Sequence, residues 1–156
     1  MVYRTAIVLL LLILISSCTA GRYTPGQPKQ EQDGIVFHEF MAMSRSGSCV
    51  LHESERIITP GRVKEVSVDS RVLNHPVEVI LLDRDGRRLT STFIEHPLVT
   101  VYEVFSPEGE LSKTTHVTDS ASFSLRYNHN TRISSIRFSS VSAGKLPVNQ
   151  TVRILK

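Results

Sequence analysis

Residues 77–93 read VEVILLDRDGRRLTSTF, and this stretch decides the fold class. Val77, Val79 and Leu81 fall on one side of an extended chain, because successive side chains of a strand point to opposite faces. Arg84-Asp85-Gly86 supplies a turn, since Asp-Gly between β-rich runs is the strongest short hairpin signal. Arg88 to Ile94 returns as the second strand. His96-Pro97 then breaks the run, because proline removes a donor and holds its predecessor extended.

The same period of two continues on both sides. Upstream, IVFHEFMAMS (35–44) and CVLHESERII (49–58) flank Ser46-Gly47-Ser48 and read as another hairpin. Thr59-Pro60-Gly61 ends it, and Arg62 to Val68 is a weaker alternating run. Downstream, LVTVYEVF (98–105) is a strand, Ser106-Pro107-Glu108-Gly109 a turn, and Glu110 to Val117 its partner. Ala121, Phe123, Leu125 and Tyr127 alternate with Ser122, Ser124 and Arg126. Asn128-His129-Asn130 turns, since its residues tolerate positive φ. Arg132 to Val141 follows with Ile136 and Phe138 inward, and Val148 to Leu155 closes with Val148, Val152 and Ile154 inward. Nine or ten short strands at this spacing, with no sustained helical period, predict an all-β antiparallel sandwich over 35–156, immunoglobulin-like or transthyretin-like in general shape. The chain has no Trp, so the cysteine–tryptophan–cysteine pattern of antibody domains is missing.

The beginning of the chain is built differently. RTAIVLLLLILISSC (4–18) follows one positive charge with an apolar run, Ala6 to Ile15, and ends on Ile15-Ser16-Ser17-Cys18. Ten residues of helix rise only about 15 Å, half of what a span needs. That is a signal-peptide core rather than a lasting membrane helix. An aliphatic residue, two small polar residues and a cysteine resemble the lipobox of bacterial lipoproteins. The resemblance implies that 1–17 is a lipoprotein signal peptide, that Cys18 receives a diacylglycerol on its thiol, and that cleavage just before it makes it the first mature residue. Two or three acyl chains anchor stably where one does not. Thr19 stands where lipoproteins kept in the inner membrane often carry Asp, which resembles the outer-membrane-sorted class. Cleavage after Ala20, releasing a soluble secreted protein, is the alternative. Residues 21–34, GRYTPGQPKQEQDG, are too polar to pack. They complete a flexible tether over 18–34, with an r.m.s. reach on the order of 20 Å.

Charge and motifs narrow the function classes. The 156 residues carry a formal net charge of +3, with no Lys/Arg run longer than two, so no nucleic-acid footprint is expected. With Cys18 lipidated, Cys49 between Ser48 and Val50 is a lone thiol on a strand, expected to be buried as a small hydrophobe. Six histidines invite a metal, but none has the close spacing that aims two imidazoles at one ion. His38-Glu39 and His52-Glu53, on neighbouring strands, are the weak candidates for a cross-strand metal site, and His75-Pro76 could approach His96-Pro97. Surface and turn histidines are the plainer expectation. Asp83-Arg84-Asp85-Gly86 begins like a calcium loop, but Arg87 puts a cation where a third acidic ligand belongs. No nucleophile elbow or glycine-rich phosphate loop appears. Arg84, Arg87 and Arg88 form a candidate contact patch at the hairpin tip. The sequence therefore suggests no enzyme and no cofactor. It suggests a lipid-anchored binding or scaffolding domain, with membrane lipid and an envelope protein as partners. A histidine-dependent metal binder or envelope enzyme is the rival.

Overall fold

The structure, a computed structural model, describes residues 34–64, 68–107, 109–141, 144 and 146–154. The leader (1–17) and all of 18–34 except Gly34 lie outside the described residues, so the readings made on them, Cys18 included, do too. The described residues form nine strands and one 3₁₀ turn. In chain order they are β1 (Gly34–Arg45), β2 (Ser48–Pro60), the turn (Ser70–Val72), β3 (Pro76–Leu82), β4 (Arg88–Glu95), β5 (Val99–Phe105), β6 (Leu111–Val117), β7 (Ser120–Asn128), β8 (Ser135–Ser140) and β9 (Asn149–Arg153).

All pairings are antiparallel. One sheet has the order β2-β1-β7 and a second β4-β3-β8-β9; β5 and β6 pair with each other alone. Their alternating inner faces meet in one core. The first sheet contributes Phe40, Ala42, Cys49, Leu51 and Leu125, and the second Val77, Val79, Leu81, Ile136 and Phe138. Phe138 reaches across to meet the Phe40 ring edge-on at 5.2 Å and the Phe123 ring at 6.2 Å, an arrangement aromatic quadrupoles favour. The fold is thus all-β and sandwich-like, as the alternation predicts.

Two local differences from the sequence reading matter. Arg62 to Val68 is not a strand at residues 62–64 or 68, and residues 65–67 lie outside the described set. Asn128 instead holds this segment to the end of β7: its Oδ1 accepts from the Val63 N–H at 2.7 Å. The β3–β4 connection also runs beyond Arg84-Asp85-Gly86, over residues 83–87. The Asp83 N–H donates to the Arg87 carbonyl, and Gly86 sits at φ 76°. Asp83 Oδ1 accepts from the N–H groups of Asp85 and Arg87 at 3.0 and 2.8 Å. A carboxylate placed there organises the loop through its own backbone.

The two sheets are also joined at an edge. Gln150 on β9 accepts from the Leu51 N–H at 2.8 Å and donates to the Leu51 carbonyl at 2.7 Å. One side-chain amide thereby satisfies both backbone groups that edge strand β2 would leave open at that residue.

Candidate functional site

The β5–β6 hairpin groups four uncovered apolar side chains, Tyr102, Val104, Phe105 and Leu111, on one pair of strands. It leaves β4 through His96-Pro97 and returns to β7 through Thr118 and Asp119. Its base is anchored. Leu98 and Val99 are buried, and the Thr118 N–H donates to the Leu98 carbonyl at 3.0 Å. His96, also buried, donates from Nε2 to the Leu146 carbonyl at 2.7 Å and accepts from the Leu98 N–H on Nδ1 at 3.1 Å. That pattern suits the neutral ring, and burial holds the His96 pKa below its usual value.

Beyond this base, among the described residues, the two strands pair with each other and with no other strand. One face carries Val101 and Thr115, then Glu103 and Lys113, then Phe105 and Leu111 at the tip; the other carries Tyr102, Val104 and His116. Phe105 is 72% exposed and Leu111 53%, with Tyr102 and Val104 about half exposed. The Glu103–Lys113 pair, at 3.9 Å, is open to solvent and contributes little to stability there. An isolated two-stranded hairpin is marginal in water, and large apolar side chains grouped on such an arm mark an interaction surface.

A second feature lies on the inner face of the β2-β1-β7 sheet. A bulge inserts Ser54 between the pairs Glu39–Glu55 and Phe40–Glu53. The extra residue switches the parity of β2, so Glu53 and Arg56 share the face of His38 and Tyr127. His38 is fully buried. Its Nδ1 lies 3.1 Å from the Tyr127 hydroxyl. Its Nε2 lies 3.1 Å from Glu53 Oε1 but off the line of a hydrogen bond. Burial lowers the His38 pKa, which the Glu53 carboxylate opposes and Arg56 reinforces; burial pushes the Tyr127 phenol up to about 12. The cluster is a polar plug in an apolar layer.

The residues singled out from sequence are distributed as follows. His38 and His52 are not brought together: His38 lies opposite Arg56 on the inner face, whereas His52 lies opposite Met41 and is exposed. His75 and His96 do approach, the His96 N–H donating to the His75 carbonyl at 2.9 Å. His38 and His96 are core residues rather than surface ones. Among the described residues no group of three or more His, Cys, Asp or Glu is placed to hold a metal. The arginines of the β3–β4 tip are partly matched by carboxylates: Arg87 lies 3.7 Å from Asp85 and Arg88 3.3 Å from Glu78. Arg84 lines a shallow pocket of about 250 Å³ with Asp83, Asp85 and Arg132, a mixed-charge surface rather than a basic one. Cys49 is buried, and its thiol is pushed up to about 11 by that burial.

Sequence reasoning paired β5 with β6 but missed that they stand alone. The signal was present. Ser112 to His116 is polar at five successive positions, and a strand with no apolar stripe has no face to bury. Compared with protein-family models, curated proteins and solved structures, the chain matches none.

Proposed function

We propose that this chain is a membrane-anchored lipoprotein of the bacterial envelope, presenting its sandwich-like domain for binding or scaffolding, with the β5–β6 arm as the contacting element. The lipobox-like Ile15-Ser16-Ser17-Cys18 supports the anchor, and the polar run after it supports a tether. The observation that carries the binding half is the arm: Phe105, Leu111, Tyr102 and Val104 stand uncovered on a hairpin whose strands, among the described residues, pair only with each other. Outer-membrane sorting follows from Thr19 by the same resemblance.

Each half has its own test. Intact mass of the mature chain reads the anchor: a start at Cys18 plus acyl chains is expected, and a bare chain beginning at Gly21 refutes it. Hydrogen exchange of the full chain reads the arm. Amides of 99–105 and 111–117 are expected to be protected in native envelopes and to exchange fast in dilute detergent solution. Fast exchange in both settings removes the arm as the contacting element.

A further inference from the structure

The outer face of the β2-β1-β7 sheet is the second uncovered apolar surface of the domain. Row by row across β2 and β1 it carries Val50 and Met43, His52 and Met41, Glu55 and Glu39, Ile57 and Phe37. Met41, Met43 and Ile57 are 37–46% exposed. The charged row is anomalous. Glu39 and Glu55 stand directly opposite each other, and among the described residues neither forms an ion pair. Like charges in that position destabilise a ladder, and the cation on the same face, Arg126 of β7, lies over the Phe37 ring, diagonal to Glu39 and two strands from Glu55.

The arm has the complementary pattern. Its Phe105–Leu111 face reads apolar pair, charged pair, then Val101 and Thr115, with Lys113 as its cation. In both surfaces the charged row lies one two-residue step, about 7 Å, from an apolar row. Laying β6 over β1 and β2 puts Lys113 at the two carboxylates and Phe105 and Leu111 against Met41 and its neighbours. Strands in a sheet are about 4.8 Å apart, so β5 then lies on the β7 side. There Glu103 faces Ser124 and Arg126, the latter stacked 5.2 Å over the Phe37 ring.

We infer that the occupant of this face is a second copy of the chain: the arm of one copy packs on the outer face of the β2-β1-β7 sheet of the other, with Lys113 between Glu39 and Glu55. Used twice about a two-fold axis, the contact closes a dimer. It takes the arm's role in binding, proposed above, as its premise and names its partner.

The test is sedimentation velocity of the full chain in detergent, over a range of concentrations. A monomer–dimer equilibrium is expected. Lys113→Glu should weaken it about tenfold or more, since like charges at a contact suppress association. Adding Glu39→Lys and Glu55→Lys to Lys113→Glu should restore it to within about threefold. Phe105→Ser should abolish the dimer while leaving the urea midpoint unchanged at a concentration low enough for the parent to be monomeric, which separates lost contact from lost fold. A monomer at the highest soluble concentration overturns the inference, whether the arm is then taken up by a phosphatidylethanolamine–phosphatidylglycerol vesicle or by another protein. A dimer indifferent to Lys113→Glu overturns it equally. A monomer whose arm is still protected in envelopes leaves the arm's binding role standing and removes only the second copy.

Discussion

Strands β3 and β5 are both seven residues long and both apolar-rich: PVEVILL against VTVYEVF. In β3 Val77, Val79, Leu81 and Leu82 are buried; in β5 only Val99 is. The difference lies in the neighbours. β3 is paired on both sides, by β4 and β8, and faces the opposite sheet, whereas β5 is paired only by β6. β6 runs LSKTTHV and offers no apolar face to extend the layer. Burial of a strand is therefore a property of the sheet it joins, and equal apolarity yields a core in one place and an exposed arm in the other.

The contrast is sharpest at two phenylalanines. Phe138 is fully buried and touches two aromatic rings, so Phe138→Ala should cost about 3–5 kcal/mol in urea unfolding, the usual range for a large core deletion. Phe105→Ala on the arm, measured at a concentration where the chain is monomeric, should stay within about 0.5 kcal/mol. Comparable losses at the two sites would mean that the arm packs on the body after all. Gln150→Leu tests the edge clamp: it leaves the Leu51 N–H and carbonyl without the amide, at an expected cost of about 1–3 kcal/mol, with no effect on arm exchange.

Acid probes the body and the arm base together. His38 and His96 both have pKa values held below the unfolded value near 6.5. Below that value the unfolded chain binds more protons than the folded one, so stability is full above about pH 7 and falls as pH drops through 6.5 toward the folded pKa values. Around His38 the responding groups are Glu53, Arg56 and Tyr127, and around His96 the nearby ring is His75. The urea midpoint should be lower at pH 5.5 than at 7.5, and the gap should shrink in His38→Gln/His96→Gln. An unchanged gap would assign the acid sensitivity elsewhere. The smallest effect concerns Cys49, which should label with a thiol reagent far more slowly in native protein than in urea, since burial disfavours the thiolate. Equal rates would place it outside the core.

Much of the body was legible because alternation reports facing. Alternation places Val77, Val79 and Leu81 on one side of their strand and Ile136 and Phe138 inward on theirs, and all five are buried. The polar plug was not legible. The bulge at Ser54 reverses which residues of β2 face inward, and no residue type announces a bulge there. The sequence therefore groups His38 with His52 as a weak metal candidate, whereas the structure groups it with Glu53 and Tyr127. The Gln150 clamp was not legible either, because its partner, Leu51, is 99 residues away.

Residue pattern alone settled the all-β class, the positions of most strands and the side of each that turns inward. Those follow from a two-residue period that every strand carries in its own composition. Tertiary structure decided which strands stack into layers, where the parity of β2 flips, and that β5 and β6 are left with each other. Such outcomes depend on whether a distant segment supplies a matching face, and no local stretch contains that information.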